Sequence, residues 1–171
     1  MPTDQSGSLG FRESLREARG LLKGALVLST WFGAGLIPGA PGTFGTLFGT
    51  PLVLVMWYLP ALYAIALVVL FVLLAVWSSA MSQNILAEKD PSRVVIDEVS
   101  GFLLTLLLLA PSLFSLVAGF VLFRIFDILK PFPIRRIEKV GGGWGVVLDD
   151  LVAGVYANLC LRLIAFAFKL G

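Results

Sequence analysis

Two pairs of adjacent acids, Asp97-Glu98 and Asp149-Asp150, each lead straight into an apolar stretch of a chain that is 58% hydrophobic and contains no histidine. Neighbouring carboxylates beside apolar sequence repel each other and resist dehydration, so they need a cation or a hydrogen-bond network to neutralise them. Ionisable groups in that setting mark functional sites. Each pair is followed about a turn later by a small residue, Gly101 or Gly154, which lets backbones pack closely. On a helix the two members of a pair point about 100° apart, so one acid can face a metal while the other meets a second ligand or a cation. Carboxylates without Cys or His nearby suit hard Mg²⁺ and argue against structural zinc. The competing interpretation is two helix N-termini whose acids favour the dipole.

Between the pairs, Arg124, Asp127 and Lys130 recur at a spacing of three, a row on one helical face. Asp127 can ligate metal while Arg124, as a fork, and Lys130, as a point charge, hold phosphate oxygens. An internal salt-bridge ladder is the alternative, and a positive-inside anchor is the better account of Arg135, Arg136 and Lys139. Upstream, Gly33 to Thr46 is a glycine- and proline-rich loop leading into apolar sequence. Its glycines permit close approach of a ligand, and Thr43 or Thr46 can cap a following helix whose free N–H groups attract anions. It is neither a Walker A loop nor a GxGxxG, and a plain re-entrant turn fits it as well as a binding loop. Gly141-Gly142-Gly143-Trp144-Gly145 reads as a flexible connection or lid.

The elements that must position these residues are apolar. A mean hydropathy of +0.94 with 14% charged residues describes an integral membrane protein of one domain. Ala61 to Ser79 is the one long uninterrupted apolar run, and its 19 helical residues rise ~28 Å, close to the ~30 Å of a hydrocarbon core. Thr46 to Leu59 is short and carries Pro51, while Gly101 to Phe123 is broken by Pro111-Ser112 and is either a hairpin or a kinked span. Val146 to Leu170 is apolar but includes Asp149, Asp150, Asn158 and Arg162. If Pro60 and Pro111-Ser112 mark distal turns, the cationic loops share one face, and Gly33 to Thr46 and all five acids gather there. Lys169 then falls near the opposite face.

Before the membrane part, Arg12, Arg16, Arg19 and Lys23 recur at helical spacing opposite Phe11, Leu15, Ala18 and Leu22. This is an amphipathic basic helix, read as lying on anionic lipid, with a solvated helix as the alternative. The expected organisation is an N-terminal amphipathic arm over 1–29 and a single membrane-embedded domain over 30–171. The fold class is an all-α integral membrane protein, a bundle of spanning and half-length or re-entrant helices. No removable signal peptide is expected. The net charge of +2 gives no reason to expect a nucleic-acid partner, and the lone Cys160 suits packing rather than reactivity. Without histidine there is no imidazole catalyst or phosphohistidine, so a hydrolase built from these residues works through metal-activated water.

Four linked blocks carry a family resemblance. They are Gly33-x-Gly35-x-x-Pro38-x-Ala40-Pro41-Gly42-Thr43-x-Gly45-Thr46-Leu47, Val95-Ile96-Asp97-Glu98-x-x-Gly101, Phe123-Arg124-x-Phe126-Asp127-x-x-Lys130-Pro131-x-Pro133-Ile134, and Gly142-Gly143-x-Gly145-Val146-x-x-Asp149-Asp150-x-x-Ala153-Gly154. In order and spacing they closely resemble the phosphatidylglycerophosphatase A family from about Trp31 to Gly154. The resemblance implies a bacterial inner-membrane, Mg²⁺-dependent phosphatase that converts phosphatidylglycerophosphate to phosphatidylglycerol. It carries over Asp97, Glu98, Asp127, Asp149 and Asp150 as metal and catalytic positions. Combined with the chemistry above, phosphate binding is expected from Arg124 and Lys130 and from Gly42, Thr43, Gly45 and Thr46, with the site at the cytoplasmic face. A small transporter using intramembrane acids is the main rival, and a non-catalytic membrane scaffold is a third reading.

Overall fold

Glycine and proline punctuate the chain into helices: α1 (Ser6–Glu17), α2 (Leu21–Ser29), a 3-10 turn (Ala34–Leu36), α3 (Pro41–Phe48), α4 (Thr50–Trp57), α5 (Ala61–Leu86), α6 (Ile96–Leu106), α7 (Leu113–Leu129), α8 (Ile134–Ile137) and α9 (Gly142–Phe168). These come from a computed structural model that describes residues 6–89, 91–137 and 141–168, and no strand occurs among them. Lys139 and Lys169, which entered the topology reasoning, lie outside the described residues.

Helices α5 and α9, of 26 and 27 residues, are long and apolar enough to cross a membrane. Only 22% of each apolar window is buried within the fold, so most of that surface faces outward. A helix apolar all round that is not enclosed by its own protein suits a hydrocarbon surrounding. The α5 helix continues past Ser79 to Leu86 because Ser78, Ser79 and Ser82 are buried against the bundle rather than solvated. Ser82 donates to Ser29 Oγ of α2 at 2.7 Å.

The N-terminal arm is two helices rather than one. Gly20, at φ 55°, separates α1 from α2, so the cationic row does not continue along a single axis. Phe11 of α1 and Ala25 and Leu26 of α2 are buried, while Arg12, Arg16, Arg19 and Lys23 are exposed.

The interrupted stretch around Pro111 is a hairpin. Ser112 caps α7 by accepting from the Ser115 N–H at 2.9 Å, and α7 returns beside α6 so that Gly119 lies against Leu106 and Phe123 against Gly101. At 11 residues α6 rises ~16 Å, about half a hydrocarbon core. Its last carbonyls have no partner within the helix. Asn158 of α9 meets this need by donating Nδ2 to the carbonyls of Leu104 (3.3 Å), Thr105 (2.8 Å) and Leu107 (3.1 Å). Arg162 adds bonds to Leu107 and Leu108 and is itself held by Asn158 Oδ1 at 2.8 Å, while Trp57 Nε1 donates to the Leu106 carbonyl. Asn158→Leu is expected to lower stability by about 3 kcal/mol, since it strands several carbonyls at once. The drop is read as a lower unfolding midpoint in detergent, and an unchanged midpoint would remove Asn158 from this role.

The α6 helix packs most extensively on α9. A Cβ built on Gly154 would collide with the Gly101 carbonyl oxygen, and one on Gly101 would lie 2.7 Å from the Asp150 carbonyl oxygen. The two backbones therefore touch one turn away from both acid pairs, as the small residues predicted. The glycine run at 141–145 corrects the expectation of a flexible lid. From Gly142 on it forms the start of α9, and Gly143 is buried with no room for a Cβ against the Val76 carbonyl of α5. At Gly143 the missing side chain serves close helix packing, while Gly142 at φ 74° uses glycine's backbone freedom to start the helix.

Candidate active site

Five helices bring their chemistry to the same end of the bundle. A cavity of about 290 Å³ is walled by Gly42 of α3, Gln83 of α5, the first turn of α6, the last turns of α7 and the second turn of α9. Asp97, Glu98, Arg124, Asp127, Lys130, Asp149 and Asp150 all line it. The turns near Pro60 and Leu108 meet at the opposite end, around a separate cavity. Distal turns at Pro60 and Pro111 were the sequence condition for this convergence.

Within the cavity the five acids divide. Carboxylate oxygens of Asp97, Glu98 and Asp150 lie within 4.8 Å of one another. Asp127 Oδ2 instead pairs with Arg124 Nη1 at 2.6 Å, and Asp149 Oδ2 pairs with Lys130 Nζ at 2.7 Å. Arg124 also reaches toward Glu98 Oε1 at 3.9 Å. So the helical row is only partly an internal ladder. Arg124 and Asp127 are paired along α7, but Lys130 adopts left-handed backbone at the helix end and crosses to α9.

Burial makes this arrangement costly without a counter-charge. In the first turn of α6, desolvation followed by the neighbouring Glu98 charge raises the Asp97 carboxyl well above the usual carboxylate range. Desolvation likewise pushes Glu98 up to about 7, against a lowering contribution from its hydrogen bond with Asp97. One oxygen on each of Asp97, Glu98, Asp149 and Asp150 is buried without a hydrogen-bond partner, as is Arg124 Nε. Converging, unpartnered carboxylate oxygens with no sulfur or imidazole among them fit a hard oxygen-seeking cation. Unlike Asp97 and Glu98, the pair on α9 is not at a helix N-terminus: α9 begins at Gly142, so the dipole interpretation does not account for Asp149 and Asp150.

The loop residues are separated by the fold. Gly42 lines the cavity, whereas Thr43, Gly45 and Thr46 do not. Neither threonine caps a helix, because α3 already starts at Pro41 and its N-cap, Ala40, makes no side-chain cap bond. Thr46 is buried and donates Oγ1 to the Gly42 carbonyl at 2.8 Å, and Gly45 packs on Val95. A Cβ on Gly42 would run into the Glu98 carboxylate and approach Arg124 Nη1 at 3.1 Å, so glycine there leaves space for both charged groups. Gln83, Lys89 and Ser92 also line the cavity and escaped sequence reasoning. Gln83, whose Nε2 donates to the Lys89 carbonyl, lies in the polar Ser82-Gln83-Asn84 end of an apolar helix, which belongs to no motif block.

Fold and cavity together define a class: an apolar helical protein with a carboxylate cluster and two paired cations converging at one end of its bundle. The sequence profile of Phosphatidylglycerophosphatase A matches residues 27–165, and the chain belongs to that phosphatase family. A Bacteroides thetaiotaomicron protein provisionally named a phosphatidylinositol-3-phosphatase is 39% identical over 146 residues, which cover 81% of this chain and 91% of the relative. Phosphatidylglycerophosphatase A of Escherichia coli is 38% identical over 148 residues, covering 85% of this chain and 86% of the relative. The Haemophilus influenzae enzyme of the same name is 37% identical over 150 residues, covering 85% and 91%. No solved structure gives a significant match.

Proposed function

We propose that the chain hydrolyses the terminal phosphate monoester of phosphatidylglycerophosphate, releasing phosphatidylglycerol and inorganic phosphate, with Mg²⁺ as cofactor. The observation that carries this reading is the clustering of Asp97, Glu98 and Asp150 within one cavity that also holds Arg124 and Lys130. Support also comes from the family and from the named relatives, which share one substrate chemistry: a phosphomonoester on an alcohol that is joined to a lipid.

Asp97, Glu98 and Asp150 would hold the cation, with Asp127 and Asp149 beside them. When bound, Mg²⁺ supplies charge neutralisation for the phosphoryl oxygens and acidifies water. Arg124 and Lys130 grip the non-bridging phosphate oxygens, trading part of their pairing with Asp127 and Asp149 for the substrate. A carboxylate of the cluster takes the proton of the attacking water. Water oxygen bonds to phosphorus, the bond from phosphorus to the glycerol oxygen breaks, and that oxygen gains a proton to become the free hydroxyl of the product. Gly42 keeps the backbone clear of Glu98 and Arg124.

The membrane setting belongs to the same proposal. The protein is a multi-pass protein of the bacterial inner membrane, formed by a membrane-embedded domain over 30–171 and an arm over 1–29 that lies on the lipid surface. Arg12, Arg16, Arg19, Lys23 and Lys89 favour placing the site end at the cytoplasmic face. A lipid phosphate at headgroup depth would then meet the carboxylates while α5 and α9 border the acyl chains. Purified protein is expected to release inorganic phosphate from phosphatidylglycerophosphate in Mg²⁺, to fall to background after chelation, and to recover when Mg²⁺ is restored. No release in Mg²⁺, or undiminished release after chelation, would overturn the reading.

A further inference from the structure

A second cavity, of about 380 Å³, lies where the end of α7 turns into α8. Lys130, Phe132, Arg135 and Arg136 are among its walls, and among the described residues no carboxylate lines it. Lys130 is common to this cavity and to the catalytic one. The Arg136 guanidinium sits 4.9 Å from the centre of the Phe132 ring, and Arg135 donates to the Leu129 carbonyl at 3.4 Å. The turn is tied down from two sides, by the fully buried Ile134 and by Tyr156 of α9, whose hydroxyl donates to the Phe132 carbonyl at 3.0 Å. Ile128, Leu129 and Phe132 are all more than 60% exposed, an apolar rim beside a cationic hollow. A positive-inside anchor needs only charge on the correct face and does not explain a fixed concave shape sharing a wall with the site.

We propose that this hollow seats the phosphodiester of the lipid substrate while the terminal monoester occupies the carboxylate cavity, so that Arg135 and Arg136 determine specificity. The inference rests on the lipid-phosphatase reading above. Such a substrate carries two anions joined by a short polyol. The cations of the carboxylate cavity are committed to the acids and the monoester, so the diester requires a cationic seat of its own, next to the first and at the apolar rim where its acyl chains begin. Guanidinium forks match the two non-ester oxygens of a diester, and the Phe132 ring holds one fork in place. Because the diester does not change during hydrolysis, these contacts act on binding rather than on the chemical step.

The source of the diester, substrate or neighbouring anionic lipid, is separable in micelles of a sugar-headed detergent, where phosphatidylglycerophosphate is the sole phosphodiester. There the Arg135→Gln, Arg136→Gln double variant is expected to raise KM about 10-fold or more, with kcat within about twofold of wild type. Replacement of both by Lys should restore part of the loss. The retained kcat reports a folded enzyme. An unchanged KM, a collapse of kcat at constant KM, or a defect that appears only when phosphatidylserine is added would each overturn the proposal. A wild-type protein inert toward phosphatidylglycerophosphate would instead overturn the functional reading on which the proposal rests.

Discussion

Asp150→Asn is expected to lower phosphate release from phosphatidylglycerophosphate by about 10³-fold, a loss of several kcal/mol of transition-state stabilisation. Asp150 is the only member of the carboxylate cluster contributed by α9, and its Oδ1 is buried without a partner. Asparagine keeps its volume, so the change removes a charge from a site whose other two charges come from α6. Asp97→Asn and Glu98→Gln should act in the same direction. Asp127→Asn and Asp149→Asn are also expected to abolish turnover, for a different reason: each removes the close carboxylate that positions Arg124 or Lys130 in the cavity. Membrane insertion and the unfolding midpoint, measured on the same preparations, separate lost chemistry from lost fold. Near-normal, Mg²⁺-dependent release by Asp150→Asn would remove Asp150 from the catalytic machinery.

Gly154→Ala should produce the second largest effect, although it touches no polar group of the site. The added Cβ meets the Gly101 carbonyl oxygen, so α9 must move away from α6. Asp97 and Glu98 ride on one of these helices and Asp150 on the other, and this close approach lies one turn from all three. A misplacement near 1 Å costs about 10²-fold in a positioned reaction. The expected result is therefore a loss of about that size, accompanied by a lower unfolding midpoint. Full activity in Gly154→Ala would mean that the backbone approach does not set the carboxylate geometry.

Much of the fold was legible because the chain's punctuation is strong. Pro60 and Pro111-Ser112 marked reversals, and placing them at one end brought residues separated by over 50 positions into a single cavity. The choice between hairpin and kink at Pro111 was open in sequence, since local chemistry is the same for both; it depends on α7 finding α6 and α9 to pack against. The glycine run was misread because glycine's freedom and its smallness look identical in one dimension. At Gly143 the Val76 carbonyl of α5, distant in the chain, determines that smallness is used. The acids were identifiable as a group and the Arg124–Asp127 pair by its spacing, but not the withdrawal of Asp149 from the cluster, which follows from Lys130 crossing to α9. Asn158 and Arg162 gave no readable signal beyond their polarity, because their partners are backbone carbonyls of another helix and every residue has one of those.

That last contact constrains how the protein can be made. During synthesis α6 emerges well before α9, and a nascent chain that ends near residue 130 has a half-length helix whose terminal carbonyls lack the donors Asn158 and Arg162 later provide. In hydrocarbon such groups are not tolerated unpaired. If the protein sits in the membrane as proposed, the α6–α7 hairpin obtains these donors only when the final helix arrives. The carboxylate cluster is completed by that same helix, because Asp150 arrives on α9, so a chain that stops before it has no complete site.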